Sequence, residues 1–293
     1  MLHAQACPRT LGLVRIIVFA MWWLRVFQVP IERMAIVPVE LLKPAGVLAI
    51  LPEPFWNAMW TPTSLWTLKI LLLLCLAALV LGMRYFQPMA LLTCILLTLY
   101  QGMPCSFGFV NHAEIAPLYA AYILAVFPSA DGLSLSVRKH PPRPAAVYRA
   151  SILAITLVFL LTYSLVAIRR LCLGGPKIFF DDTILYQIAG GGVVSPASLG
   201  LNAIQNPLLV FVLRAGFPIV TLHELLSPLC LFSRYFRWTW KAVMIPFHIA
   251  TWITMGLAFP MSLVLIAVVL SDLDWLLKFT SLHRYGPIKI SKA

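Results

Sequence analysis

Polar side chains that could do chemistry are few in this apolar sequence, and the first group is Asn111, His112 and Glu114. A histidine titrates near neutral pH and can act as a general acid or base. Arg169 and Arg170 end a long apolar run, and guanidinium groups bind carboxylates or phosphates through paired hydrogen bonds. Together these residues predict a pocket in which His112 exchanges a proton, Arg170 clamps an anion, and Asn111, Glu114 and Arg169 contact the substrate. The structural alternative is that the arginines only anchor a helix end among lipid headgroups and His112 only hydrogen-bonds at a helix start.

A second group of ionisable residues lies inside apolar segments, where a charge is costly and therefore suggests a function. The group consists of Arg214, His223, Glu224 and His248. Glu224 and His248 fall at similar predicted depths near the inner side of the membrane, so we expect a hydrogen bond between them across two helices. We favour a structural link, and the alternative is a proton path or ligand site. Arg214, near the middle of its segment, must face protein, water or a ligand.

Sequence motifs for metal-dependent, nucleotide-dependent and hydrolytic chemistry are absent. The chain contains no phosphate-binding loop, HExxH, nucleophile elbow or paired CxxC. Its histidine and acidic residues also lack the compact spacing of metal ligands, so no metal site is predicted. Cys105 and Cys172 both fall on the predicted outer side and could form a disulfide there, whereas the alternative is two unpaired thiols.

The elements that position these residues are predicted to be membrane-spanning helices. The chain has 293 residues, of which 61% are hydrophobic and only 11% charged, and its mean hydropathy is +0.91. Soluble domains have about 45–50% apolar residues, and a soluble core could not bury so much apolar surface. The sequence therefore predicts an all-α, polytopic transmembrane helix bundle with about eight spans. The predicted spans are Leu11–Val29, Leu65–Met83, Pro88–Gln101, Ile115–Phe127, Ala150–Ile168, Pro207–Leu222, Val243–Phe259 and Met261–Asp272.

The distribution of basic residues predicts the orientation of the bundle. The net charge is +12, and most Lys and Arg residues fall on the inner side if the N- and C-termini are both cytoplasmic, as the positive-inside rule requires. The basic segments Arg138–Arg149 and Arg234–Lys241 then anchor the inner face, and no nucleic acid is expected as a partner. We expect one integral membrane domain over residues 1–293, with a short basic cytoplasmic tail at 276–293. Its surroundings would be membrane lipid, in a bacterial cytoplasmic membrane.

Two stretches outside the spans carry further expectations. Pro30–Ser64 is rich in proline and tryptophan, which predicts a loop on the membrane surface with one short helix. Asp181 and Asp182 are suited to cap a short helix over Thr183–Ala189, and Gly190–Gly192 to end it.

Three basic residues inside predicted spans, Arg15, Arg25 and Lys69, are expected to reach toward the lipid headgroups. We also expect an acidic residue of the outer side, Glu114 or Asp181, to pair with one of the two adjacent arginines at the end of the fifth span.

Several short motifs follow one another along the chain. The four main motifs are Phe109–His112, Phe127–Leu135, Tyr163–Leu171, and a stretch from Leu222–Pro228 to Pro246–His248. Arg15-Ile16 and Pro44–Gly46 precede them, and Asp181-Asp182 follows the basic pair Arg169-Arg170. Their order and spacing resemble the horizontally transferred transmembrane domain (HTTM) family, which includes the membrane part of vitamin K-dependent gamma-glutamyl carboxylase. The resemblance covers about residues 10–275.

The resemblance implies a role in modifying or maturing an exported peptide. In the animal carboxylase the basic pair is two lysines, and the second is the base that starts catalysis through vitamin K hydroquinone. The matching residue here is Arg170, which cannot release its proton at ordinary pH. The large lumenal domain expected to dock a propeptide is also missing, so gamma-carboxylation is disfavoured. His112 resembles a polar position beside that active site, and a quinone cofactor is suggested by the resemblance alone.

Three functions follow from these observations. The first is an HTTM-type protein with an outward-facing polar pocket that acts on an exported peptide. The second is a transporter that uses Arg214, Glu224 and His248, although the sequence shows no inverted repeat. The third is a non-catalytic subunit of a membrane partner protein. Loss of activity confined to the pocket favours the first, impaired ion flux in Arg214 and Glu224 variants favours the second, and changes in stability or assembly alone favour the third.

Overall fold

The regular elements of the described chain are all helical. The computed structural model describes residues 7–44, 46–107, 114–136, 143–195 and 197–271. These residues form two compact units, which meet inside one long helix: the first takes in the described residues up to Ile155, and the second runs from Thr156 to Ser271. The described residues contain no strand, so the predicted all-α class is confirmed for them.

The first unit contains two-turn and longer helices separated by short connections. They are α1 (Pro8–Gln28), α2 (Glu53–Met59), α3 (Pro62–Leu81), α4 (Phe86–Cys105), α5 (Ile115–Val126) and the start of α6 (Ala145–Gly174). Short 3-10 helices at Ile31–Ile36, Val39–Leu41 and Gly46–Ile50 lie between α1 and α2. The predicted surface loop before the second span thus contains α2 as its short α-helix.

The second unit begins with the remainder of α6 and continues through shorter helices. They are α7 (Thr183–Val194), α8 (Gly200–Gln205), α9 (Pro207–Leu225), α10 (Arg234–Met255) and α11 (Pro260–Val269), with 3-10 helices at Pro176–Phe179 and Ser227–Leu231.

Proline and capping side chains fix where the long helices begin. Proline is the first residue of α1, α3, α9 and α11, where its missing N–H costs no hydrogen bond. The Thr61 hydroxyl accepts a bond from the N–H of Ser64 at the start of α3, and the Asn206 side chain accepts one from the N–H of Leu208 at the start of α9.

Each predicted span overlaps one helix. Five helices are long and apolar enough to cross a membrane: α1, α3, α4, α6 and α9. The helices α5, α7 and α11 are apolar but shorter. The chain therefore has the helices of an integral membrane protein, while the number of spans and the cytoplasmic termini stay predictions.

A fully buried guanidinium ties together three parts of the first unit. Arg15 on α1 donates hydrogen bonds to the carbonyl oxygens of Val80, Ser129 and Leu133 at 3.3, 3.1 and 2.7 Å, and to the Ser134 hydroxyl at 2.8 Å. The predicted position of Arg15 among headgroups is therefore wrong. The carbonyl groups at the end of α3 and after α5 provide the polar surroundings that headgroups would otherwise supply.

Arg25 and Lys69 also find partners inside the first unit. The Lys69 Nζ atom donates to the Val29 carbonyl oxygen at 2.9 Å and lies 3.3 Å from a carboxylate oxygen of Glu32. Arg25 Nη2 lies 2.5 Å from a carboxylate oxygen of Glu114. Lys69 is buried, so its predicted reach to the headgroups is wrong, whereas part of the Arg25 side chain is exposed.

An aspartate bonds to the first residue of α7, but the predicted capping bond at the N-cap residue is not formed. The Asp181 carboxylate accepts the backbone N–H of Thr183 at 2.9 Å, while Asp182 makes no capping bond. Hydrogen bonds from the hydroxyl and the N–H of Thr183 lower the pKa of Asp181, because they stabilise its ionised form.

Glycines in α7 and α8 permit close packing against α10. The helix α7 continues past Gly190–Gly192, so the predicted helix stop is wrong. A Cβ atom on Gly191 would lie 2.8 Å from the Met255 Cβ atom, and one on Gly200 would lie 2.1 Å from the Thr254 carbonyl oxygen. These positions need glycine because the backbones approach too closely for any side chain.

Two neighbouring glycines of α7 should respond oppositely to alanine. Gly191→Ala should destabilise the protein by about 1–3 kcal/mol, because the new methyl group meets the backbone of Met255. Gly190→Ala should be neutral or stabilise by roughly 0.5–1 kcal/mol, because a Cβ atom there meets no described residue within 4 Å and alanine favours the helix. Thermal unfolding in detergent measures both. Equal shifts for the two variants would contradict this packing of α7 on α10.

Candidate functional site

An arginine–glutamate pair joins α6 to α9 in the second unit. Arg170 Nη1 donates to the Glu224 carboxylate at 2.5 Å and to the Thr221 hydroxyl at 2.7 Å. The guanidinium carbon lies 5.1 Å from the centre of the Phe217 ring. Because Phe217, Thr221 and Glu224 are three and four residues apart on α9, they share one face and together hold the guanidinium.

The pair is largely removed from solvent. The side chain of Glu224 is 3% exposed and that of Arg170 is 22% exposed. Two charges in such surroundings lose their hydration, and the Thr221 hydroxyl and the face of Phe217 help to compensate that loss. Removing one partner would leave the other as an uncompensated charge.

Part of the hydrogen-bonding capacity of Arg170 is unused by the described residues. Its bonds to them both start from Nη1, which leaves Nε and Nη2 as a planar edge with two donors. This edge matches the two oxygens of a carboxylate or phosphate. The arrangement can therefore bind an anion while Glu224 fixes the guanidinium from the other side.

A tyrosine–histidine pair joins α6 to α10. The Tyr163 hydroxyl oxygen lies 3.0 Å from Nε2 of His248, and Nδ1 of His248 lies 2.7 Å from the Met244 carbonyl oxygen. A carbonyl oxygen only accepts, so we assign the hydrogen of the neutral ring to Nδ1, and Tyr163 then donates to Nε2. The pair is a hydroxyl backed by a base, which is the arrangement that general acid–base chemistry uses.

Two serines position α6 against the end of α9. The Ser164 hydroxyl donates to the Leu225 carbonyl oxygen at 2.9 Å, and the Ser227 hydroxyl donates to the Leu160 carbonyl oxygen at 2.6 Å. The two hydroxyl oxygens are 3.1 Å apart. These bonds set the register in which Arg170 meets Glu224.

The observed pairing differs from the predicted one. Glu224 and His248 do not bond to each other: Glu224 bonds to Arg170, and His248 bonds to Tyr163. The predicted placement of Arg170 and Glu224 on opposite sides of the membrane is also wrong, because atoms 2.5 Å apart lie at one depth. The error arises because α6 has 30 residues, more than the ~20 that a bilayer core requires, so counting from its ends misplaces Arg170.

The other predicted residues of the second unit lie nearer its surface. Arg214 pairs with Asp182, and both side chains are about half exposed. His223 is partly exposed, and its Nδ1 atom lies 2.8 Å from the Ile219 carbonyl oxygen. Arg169 is exposed.

Glu114 belongs to the first unit, at the start of α5. It pairs with Arg25 at 2.5 Å and receives a further side-chain hydrogen bond from Gln101. The acidic partner of Arg170 is thus Glu224, and the predicted use of Glu114 or Asp181 for that pairing is wrong.

Other predicted residues fall outside these clusters. Asn111 and His112 lie outside the described residues. Cys105 and Cys172 are free thiols, so the structure does not contain the predicted disulfide. Within the part of the chain that the structure describes, no group of three or more His, Cys, Asp or Glu residues could hold a metal ion.

Several residues of the site escaped the sequence prediction. Tyr163, Thr221 and Phe217 are uncharged, so the cost of a buried charge does not mark them. Their spacing is the signal that could have found them: Thr221 and Phe217 precede Glu224 by about one and two turns, and Tyr163 precedes Arg170 by two turns.

Comparison with known proteins gives no match to a family model, to a curated protein or to a solved structure.

The Arg170–Glu224 pair should behave as a coupled unit in unfolding experiments. Glu224→Met alone should cost about 3–5 kcal/mol because it leaves a buried cation unpaired, whereas the double variant Arg170→Met with Glu224→Met should recover most of that loss. The control Arg169→Met should change little, since Arg169 is exposed. Additive effects of the two single substitutions in a double-mutant cycle would show that the pair does not exist.

Tyr100 in the first unit should tolerate loss of its hydroxyl. The hydroxyl is buried and has no hydrogen-bond partner among the described residues, although Arg25 and Glu114 lie within electrostatic range. An unpaired buried hydroxyl destabilises the folded state, so Tyr100→Phe should leave the melting temperature unchanged or raise it. Tyr148→Phe is the matched comparison and should lower it, because that hydroxyl donates to Asp131 at 3.0 Å. A larger loss in Tyr100→Phe than in Tyr148→Phe would contradict the assignment.

Proposed function

We propose that this is an integral membrane protein of the HTTM type that binds a carboxylate of an exported peptide at Arg170 and takes part in modifying or maturing that peptide. One observation carries the proposal. Glu224, Thr221 and Phe217 hold the Arg170 guanidinium, while its Nε and Nη2 edge has no partner among the described residues.

The class of substrate comes from the resemblance, and the contacts of the second unit support it. Arg170 comes from one of the motifs that carry the resemblance, and Glu224 and His248 come from another. Arg170 belongs to α6. Glu224 bonds to Arg170 at 2.5 Å, and His248 bonds to Tyr163, also on α6, at 3.0 Å. Motifs that are distant in the sequence and joined in space are what a common site requires.

In the proposed site, binding and proton exchange fall to different side chains. Arg170 orients the carboxylate, and Glu224 keeps the guanidinium fixed and balances its charge. His248 with Tyr163 supplies a base and a hydroxyl donor for proton exchange. No lysine base is available at position 170, so the lysine route of gamma-carboxylation is not proposed.

The pocket predicted from Asn111, His112, Glu114 and Arg169 is not part of this proposal. A quinone rests on the resemblance alone, and no step of the proposal runs through it.

The transporter alternative has less support from the contacts. Arg214 bonds to Asp182, whereas Glu224 and His248 bond to residues of α6. Among the described residues, no chain of hydrogen bonds joins Arg214 to the other two. The alternative of a non-catalytic subunit is tested by the experiment below, because such a subunit leaves the exported peptides chemically unchanged.

The test compares the exported peptides of the source organism by mass spectrometry. The strains are wild type, a deletion of the gene, Arg170→Ala, Arg170→Lys and the exposed control Lys177→Ala. We expect the same peptide to change mass in the deletion and in Arg170→Ala, with at least about tenfold less mature product, while Lys177→Ala matches wild type. Arg170→Lys should restore only part of the product, because an ammonium group cannot make the bidentate contact.

Immunoblots of the membrane fraction measure the abundance of each variant, so that a loss of activity can be distinguished from a loss of folded protein. If Arg170→Ala produces mature peptide at wild-type levels and at equal protein abundance, the proposal that Arg170 binds the peptide carboxylate is rejected. Exported peptides of unchanged mass in the deletion strain reject the maturation role and favour the transporter or the non-catalytic subunit.

A further inference from the structure

We propose that the first two turns of α10 form a binding site for the headgroup phosphate of an anionic phospholipid. Arg234, Arg237, Trp238 and Lys241 lie at the start of this helix. Counted from Arg234, they are separated by three, four and seven residues, so they share one face. This surface, the basic face of α10, is distinct from the carboxylate site proposed above.

Two side chains of the basic face, Arg237 and Lys241, are partly exposed, and the other two are exposed. Arg234 is exposed, and Trp238 is 59% exposed. The Lys241 Nζ atom lies 4.1 Å from the centre of the Trp238 ring, which places a cation and an aromatic surface side by side. Arg237 donates from Nε to the Cys230 carbonyl oxygen at 3.1 Å, which leaves both of its Nη groups without a partner among the described residues.

A packed stripe of α10 beside the basic face fixes the rotation of the helix. Trp240, Met244, His248 and Thr251 are buried at a spacing of three to four residues. Trp240 also donates from Nε1 to the His223 carbonyl oxygen at 3.0 Å. Because this stripe is packed, Arg237 and Lys241 beside it are partly buried, while Arg234 and Trp238 face outward.

Among the described residues, no acidic side chain pairs with a cation of this face. The sequence contains no Asp or Glu between Glu224 and Asp272. Arg237 and Lys241 also repel each other. The N-terminus of a helix is the positive end of its dipole, where cations are unfavourable and anions are stabilised. Three cations at this end therefore produce a positive potential that attracts anions.

The neighbouring residues identify the anion as part of a membrane surface. Exposed aromatic side chains adjoin the basic face at Phe232 and Tyr235, and the helix continues beyond Lys241 into an apolar sequence. Aromatic and basic residues at the start of an apolar helix are typical of the headgroup level of a bilayer. Basic clusters there attract anionic lipids. A phosphate that carries acyl chains fits both the charged and the apolar parts of this surface.

The experiment measures lipid binding to the full chain in detergent by native mass spectrometry. Phosphatidylglycerol and phosphatidylcholine with identical acyl chains are titrated separately, so that only the headgroup charge differs. We expect wild type to prefer phosphatidylglycerol, and the triple variant Arg234→Gln, Arg237→Gln, Lys241→Gln to lose that preference. The expected loss is about fivefold per substituted residue, from roughly 1 kcal/mol for each basic side chain near an anionic surface.

Two control variants test whether the lipid preference depends on the basic face of α10, and not on any exposed arginine or on the carboxylate site. Arg84→Gln removes an exposed arginine that lies over the ring of Tyr85 in the first unit, and should keep the wild-type lipid preference. Arg170→Ala should also keep it, so failure of the proposed function leaves this result unaffected. The wild-type protein alone provides a test that needs no variant: raising the salt concentration should weaken its binding of phosphatidylglycerol.

Several results would overturn the proposal. They are equal affinity of wild type for the two lipids, wild-type phosphatidylglycerol affinity in a triple variant that melts normally, and displacement of the lipid by an equal concentration of inorganic phosphate. Binding of a single-stranded oligonucleotide as tight as that of phosphatidylglycerol would instead assign the face to nucleic acid.

Discussion

An ionised side chain among apolar helices must find its partners within the protein, and this constraint organises both units. Arg15 donates hydrogen bonds to backbone carbonyl oxygens. Lys69 bonds to Glu32 and to a carbonyl oxygen, and Arg170 bonds to Glu224 and Thr221. An unpaired charge in these surroundings would cost several kcal/mol. Each cation therefore joins elements that are distant in sequence, and the long helices are held in the register that these bonds demand.

The number of guanidinium donors that already have partners on the protein distinguishes an arginine with a structural role from one that can bind a ligand. Arg15 is fully buried, and both of its Nη atoms donate to carbonyl or hydroxyl oxygens on the protein. Arg170 is partly exposed, and both of its bonds to the described residues use Nη1. A ligand would have to break the bonds of Arg15, whereas it could use the open edge of Arg170 without disturbing Glu224. This difference is why the proposed function is placed at Arg170.

The positions of the helices could be predicted because hydropathy and proline mark them locally: α9 begins at the predicted Pro207, and α3 begins at Pro62, close to the predicted Leu65. The same reasoning found Arg170, Glu224 and His248 one at a time, from the cost of burying each polar group. It could not find their partners, since these depend on the length of α6 and on the rotation of α9. The predicted helix stop at Gly191 is wrong for the same reason, because the role of this glycine depends on α10, which is more than 40 residues away in the sequence.

An arginine at position 170 limits the chemistry more than a lysine would. A lysine bonded to a buried glutamate can lose its proton to that glutamate, and the pair then becomes neutral. An arginine keeps its charge, so the open edge stays positive and planar at any physiological pH. Such a group binds and orients an anion well, but it cannot act as a base. The proposed proton exchange therefore falls to other side chains. Among the described residues bonded to α6, His248 has a ring nitrogen that can accept a proton, and the Tyr163 hydroxyl is directed at it.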